Sequence, residues 1–577
     1  VLQAAHAIAK KPTGIGGFDE MCGGGLPDQR LTTIVGSPGA GKTVFALTTL
    51  VNRHRMLGEP GVLVSFEEPV ERLTSNAGSF RWNFDSLPPD AISFVDACIP
   101  PDADIGTRFD LIGLLAGLDG LIAETGAKNV VFDGIDVLLG NLDDEKLERQ
   151  ELARIDAWLR RAKLSVLMTA KSFTSGERDQ RRSEYLQYMT DCVVLLESDV
   201  AGTTASRKLR ISKYRGSGFA ANPQPVVITP AGFEVIAFRN IRRSYPTFAD
   251  RVSSGVERLD TLVGGGFIRG SSILISGSPG TSKTSLGAHF VAAACKRGER
   301  AMLISFDESA SQIISNMRSI GLDLAAHVAS GMLVMDSLVS GGRSPEEHFI
   351  IIRDMLALHA PRCLVIDPLS ALLKSEYPFA TLICEGVLDL AKSLGVTVLC
   401  TSLLENASGY EELSASHMST LADTWMHVSY VARAGERNRA LTIVKSRGSS
   451  HSHQVRELLL GKNGVELCDV YAAEGEVLMG AARLQKEQEG RRRKIEQDIS
   501  YQRSRVQSDI DIATLRKRIE LVMLELEWKE RDAETSRQLE EERLQQERFA
   551  STLMMGTRMA DAPEARGAAS PAAEAAQ

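Results

Sequence analysis

Two short stretches have the composition to cradle a polyphosphate. In GSPGAGKT, residues 36 to 43, Gly36, Gly39 and Gly41 let backbone N–H groups curl around phosphate oxygens, with Ser37 and Ala40 completing the loop. Lys42 is then in reach of β and γ phosphates, and the Thr43 hydroxyl is placed to hold Mg²⁺. GSPGTSKT, residues 277 to 284, repeats the arrangement with Gly277, Ser278, Gly280, Thr281, Lys283 and Thr284, but Ser282 stands where the pattern wants glycine. Each loop follows an apolar strand and opens an amphipathic helix, the context in which such a loop works.

Further charged residues recur near both loops. Asp133 ends NVVFD and Asp367 ends CLVID, where a carboxylate can bind a magnesium shell through water; a strand-end carboxylate capping a turn is the plainer alternative. Glu67 and Glu68 follow VLVSF, and Asp307 and Glu308 follow MLISF. Adjacent acids repel one another, which is costly unless one of them polarises a water or hydroxyl for attack on a phosphate, or an interfacial ion pair absorbs them. Lys213 with Arg215, and Lys445 with Arg447, lie late in each half on a strand leading to glycine. Paired cations there fit groups inserted into a neighbouring subunit's nucleotide, against the alternative of a solvated basic edge.

The recurrence is a duplication. TGIGGFDEMCGGGLPDQRLTTIVGSPGAGKT, from Thr13, returns from Ser254 at an offset of 241 residues, and the later landmarks follow in order until ISKYRGS and IVKSRGS stand 232 apart. That period is far above the ~20 to 50 residues of a solenoid, so it marks two whole domains. Short β-branched runs such as LTTIVG, GVLVSF, NVVFD, SVLMTA and CVVLLE alternate with amphipathic stretches. The alternation predicts an α/β fold: two tandem P-loop domains, residues 1–240 and 241–470, each a mostly parallel sheet with helices on both faces.

After about residue 470 the composition changes. From Arg483 to Arg548 about half the residues are charged, with balanced signs and no proline. Ile512, Leu515, Ile519, Val522 and Leu526 step by 3, 4, 3 and 4, the seam of a coiled coil. Upstream, Ile495, Ile499 and Val506 fit an offset seam interrupted by Gln502, so the coil is expected to be irregular there. A helical coiled-coil extension over 471–555 and a disordered, low-complexity tail over 556–577 are the expectation.

Composition sets the outer bounds. The 577 residues carry 66 Lys and Arg against 74 Asp and Glu, a net charge of −8. An acidic balance argues against a protein whose main task is coating nucleic acid. The sequence has no apolar run of membrane-spanning length and no signal-peptide pattern, so a cytoplasmic location is expected and no membrane contact. The eight cysteines form no CxxC pair and read as small core residues.

With the P-loops, acid pairs and KxRG endings together, residues 10 to 470 resemble the KaiC family, tandem RecA-like ATPases and Ser/Thr autokinases of circadian clocks. The resemblance implies a hexameric double ring with Mg·ATP at the subunit interfaces of both tiers, autokinase and autophosphatase activity in the second domain, and a KaiB-like partner. It places the Lys213 and Arg215 pair, and the Lys445 and Arg447 pair, on the neighbouring subunit's ATP. It also assigns Ser419 and Thr420, in SASHMSTLADTW, as the phosphorylated hydroxyls; the repeat sets Gln187 and Tyr188 opposite them. Asp307 departs from the family's glutamate, and Ser282 from its glycine. The helical extension goes beyond the clock proteins, and its seam is expected to join two hexamers into a dodecamer.

Two other functions share this fold: a DNA-dependent ATPase of the RecA and DnaB kind, and a nucleotide-gated scaffold without kinase activity. The acidic total, the lack of an appended basic module and the Ser419–Thr420 pair favour the kinase over the motor.

Overall fold

A computed structural model describes residues 8–98, 111–142, 145–172, 184–201, 204–237, 245–339, 341–373, 379–403, 422–433, 435–473 and 476–558. Ser419 and Thr420 lie outside the described residues. The chain divides into two units, Val1–Met479 and Gly480–Gln577.

The first unit holds two nine-stranded sheets of the same topology. In the first, the P-loop strand Leu31–Gly36 is central, flanked in parallel by Ser165–Lys171 on one side and Cys192–Ala201 on the other. Asn129–Asp133, Gly61–Ser65 and Ile92–Asp96 continue the parallel half. The other edge turns antiparallel through Thr204–Tyr214, Gln224–Thr229 and Gly232–Val235. The second sheet repeats this order around Ser272–Gly277. Parallel strands are buried on both faces, which is why their sequences read as unbroken apolar runs.

Burial explains the choice of residues. Helix Lys42–Leu57 packs Phe45, Leu47, Leu50 and Val51 into a cluster with Phe18, Ile34, Leu63 and Phe233. Helix Lys283–Lys296 does the same with Leu286, Phe290 and Val291. The two copies also share apolar surface: Val227 and Ile236, late in the first, belong to the second copy's cluster with Phe349, Ile350 and Leu364. Glu234 and Arg353 form an ion pair across the same contact.

Close backbone approaches fix several loops. At Gly17, with φ of 78°, a Cβ would sit 2.0 Å from the Val235 carbonyl oxygen. The loop that opens the first copy is thereby locked to its last strand.

After Asp469 the chain forms a small hairpin, Tyr471–Ala473 with Glu476–Leu478, and the extension becomes helical at Gly480. Here the structure refines the sequence reading, which began the helical segment at 471. Helix Gly480–Arg558 is continuous over 79 residues, about 120 Å at 1.5 Å per residue. The expected irregularity around Gln502 is therefore a change of apolar face and not a break in the helix. Gly490 is tolerated because one helical glycine costs only about 1 kcal/mol. The seam from Ile512 to Leu526 is about half exposed. At 100° per residue, Ile510, Leu521, Leu524 and Trp528 make a second exposed row on nearly the opposite side. Exposed pairs such as Arg492 with Glu496, at 3.0 Å, lace the surface, each worth a few tenths of a kcal/mol.

Substituting Gly17→Ala is expected to lower the thermal midpoint, costing ~1 to 3 kcal/mol through both the clash and the left-handed backbone. A thermal melt that matches the parent would contradict the locking role.

Candidate nucleotide site

Each P-loop wraps a lysine back onto its own carbonyls. Lys42 Nζ donates to the carbonyls of Gly36 at 3.0 Å and Ser37 at 3.1 Å. Lys283 Nζ donates to Gly277 and Ser278, both at 2.8 Å. Burial pushes both ammonium groups below the ordinary lysine range, Lys283 down to about 8. A partly desolvated cation over a glycine loop is the arrangement that phosphate oxygens can take over.

The loop backbone is left-handed where the cradle needs it. Gly39 and Gly41 have φ of 74° and 96°, and a Cβ on Gly39 would meet nothing within 4 Å, so that side of the loop is open. Ser282 adopts φ of 73° at the place of Gly41. The second loop therefore keeps the shape of the first, at the cost of strain that glycine would avoid.

Beside each loop a strand-end aspartate is held by two hydroxyls. Asp133, 5% exposed, accepts from Thr43 Oγ1 at 2.9 Å and Thr169 Oγ1 at 2.6 Å. Asp367 accepts from Thr401 and Thr284 in the same way. Burial raises both carboxyls above the usual range, with the hydroxyl bonds pulling the other way. A hydroxyl and a carboxylate side by side are hard oxygen donors of the kind that suits Mg²⁺.

The acid pairs split. Glu68 turns away to accept from Asn76 Nδ2 at 2.8 Å, and Glu308 likewise from Asn316 at 3.0 Å. Glu67 instead stays on the P-loop side, where its charge acts on Lys42 and Asp133; Asp307 similarly acts on Lys283 and Asp367. Only the first acid of each pair is thus brought to the loop.

Lys213 and Arg215 are not brought to their own P-loop. Lys213 Nζ donates to the carbonyls of Gln187 at 2.7 Å and Tyr188 at 2.9 Å, and Arg215 to that of Tyr188 at 2.7 Å. Lys445, next to last in strand Glu436–Ser446, stands at the register of Trp425, and Arg447 follows the strand. Burial lowers Lys213 and Lys445, and the neighbouring arginine adds to the shift.

Sequence reasoning missed Arg207 and Arg439. Their Nε atoms donate to the carbonyls of Gly39 and Gly280, each at 3.3 Å, so a cation stands against each loop. Their common offset of 232 residues within the repeat was the available signal. Lys171, which pairs with Glu67 at 2.6 Å, was missed as well.

A family model described as "ATPase: KaiC" matches residues 11–239 and again 252–470. The chain belongs to the KaiC family of ATPases. Its relatives include the circadian clock protein KaiC2 of Synechocystis sp., 36% identical over 538 residues, which covers 90% of this chain and 94% of the relative. The circadian clock oscillator protein KaiC of Parasynechococcus marenigrum is 34% identical over 477 residues, covering 82% of this chain and 93% of the relative. That of Synechococcus elongatus is 32% identical over 480 residues, covering 82% and 92%. The KaiC2 alignment spans more of the chain than residues 1–479 supply, so it runs into the sequence of the long helix. Among the described residues, no helix is long and apolar enough to cross a membrane.

Nucleotide binding in the second domain is expected to weaken above pH 8. Burial lowers the Lys283 ammonium to about 8, so it loses its proton as pH rises further, whereas a lysine paired with phosphate keeps it and binding must take up a proton. Affinity then falls about tenfold per pH unit. Titration with a fluorescent ATP analogue between pH 7 and 9.5 measures it, and a flat profile would contradict the buried-lysine account.

Proposed function

We propose that the chain is a magnesium-dependent ATPase and Ser/Thr autokinase that assembles as a hexameric double ring with ATP held between subunits. The observation that carries this reading is the matched build of the two P-loops: lysine, left-handed loop and hydroxyl-held aspartate recur with the same partners in both copies. Magnesium, held by Thr43 or Thr284 and by Asp133 or Asp367 through water, would neutralise charge on the β and γ phosphates.

In the first domain Glu67 takes the proton of an attacking water as its oxygen bonds to the γ-phosphorus and the bond to ADP breaks. Lys213 and Arg215 of the neighbouring subunit stabilise the charge on the transferring group. Their distance from their own loop supports this role in trans. In the second domain Ser419 and Thr420 replace water as acceptors, Asp307 takes the proton, and Lys445 and Arg447 act as the counterparts. Support comes from the repeat, because the first copy's Lys213 and Arg215 grip Gln187 and Tyr188, the residues opposite Ser419 and Thr420. Each phosphate adds about −1.5 to −2 charges, enough to alter packing at an interface.

The long helix is read as the device that joins two rings. Its apolar rows are exposed within one chain, and six such helices would follow six second domains. Balanced charge along the helix suits pairing between facing copies better than a membrane surface.

Intact mass and site mapping after incubation with Mg·ATP test the enzyme reading. Phosphate on Ser419 and Thr420 is expected; none after long incubation would favour the scaffold. In solution the full chain with nucleotide is expected at twice the hexamer mass, and a chain ended after Met479 at a single hexamer. A full chain that remains hexameric would eliminate the stacking.

A further inference from the structure

The two sites differ in concert at three positions. Lys171 ends the strand that pairs with the P-loop strand, in register with Gly36; Leu403 occupies the same place opposite Gly277. The Lys171 backbone N–H donates to Asp136 Oδ1 at 3.1 Å, and that of Leu403 to Ser370 Oγ at 3.0 Å. The backbone geometry is therefore kept, while Glu67, Lys171 and Asp136 are replaced by Asp307, Leu403 and Ser370.

In the first domain a cation meets the first acid: Lys171 Nζ lies 2.6 Å from Glu67 Oε1. Gly134, with φ of 79°, makes room for this arrangement, since a Cβ there would approach the Glu67 Cβ to 3.0 Å. Both partners are well over a third exposed, 37% and 47%. Exposed pairs contribute little to stability, so stability does not explain why the pair is built at this spot. What the pair does is restrict a glutamate with three rotatable bonds to one position, next to Asp133 and Lys42.

We propose that Lys171 is a positioning residue for hydrolysis in the first domain. Its ammonium holds the Glu67 carboxylate on the P-loop side, beside Lys42 and Asp133. A firmly held base suits a small nucleophile that brings no binding contacts of its own.

This inference rests on the assignment of Glu67 as the hydrolytic base, and the test separates the two. Phosphate release is measured on the full chain carrying Asp307→Asn and Glu308→Gln, so that first-domain turnover is read alone. Lys171→Leu, the residue natural to the second copy, is expected to lower kcat at least tenfold while KM for ATP changes less than threefold. Lys171→Arg, which keeps the cation, is expected to stay within about threefold of the parent. Glu67→Gln sets the floor. If Lys171→Leu turns over within twofold of the parent while Glu67→Gln fails, the positioning role is overturned and the base assignment stands. If KM rises as far as kcat falls, Lys171 binds phosphate and does not position the base, which also overturns the proposal. If Glu67→Gln turns over normally, the base assignment fails and the proposal with it.

Discussion

A buried carboxylate at a strand end must be held by hydroxyls from its neighbours, and this requirement ties the core of each domain to its chemistry. Asp133 reaches Thr43 at the start of the P-loop helix and Thr169 on the adjacent strand. Three elements far apart in sequence are thus fixed to one point. Leaving one buried partner unsatisfied would cost on the order of 1 to 3 kcal/mol, so sheet register and site geometry are held by the same bonds. Thr284, Asp367 and Thr401 repeat the arrangement.

Duplication with that point fixed allowed the rest of the site to diverge. Gly41 became Ser282 without changing the loop's hand, and Lys171 became Leu403 without changing the strand's end. The second of these replacements alters charge beside the P-loop while leaving its backbone alone. Together they give one chain two P-loops of the same shape and different electrostatics.

Much of this was legible in the sequence. Unbroken apolar runs fixed the parallel strands, glycine spacing fixed the loops, and the repeat let each copy check the other. The contact between Lys171 and Glu67 was not legible, because it depends on the order of strands in the sheet, where Asn129–Asp133 lies between Ser165–Lys171 and Gly61–Ser65. The same holds for Arg207 at Gly39. The acid pairs were read as units, whereas a helix that follows each pair supplies an asparagine, Asn76 or Asn316, that removes the second acid. The irregular seam around Gln502 was legible as a shift of the apolar row, and the helix runs through it unbroken.

The central claim is that both copies of the P-loop hold nucleotide through the same lysine geometry. Equilibrium counting of bound ATP on the full chain tests it most directly, with Lys42→Ala and Lys283→Ala as the two site-specific variants. The account predicts two nucleotides per chain for the parent and one for each variant. One nucleotide per chain in the parent, lost in one variant and unchanged in the other, would contradict it.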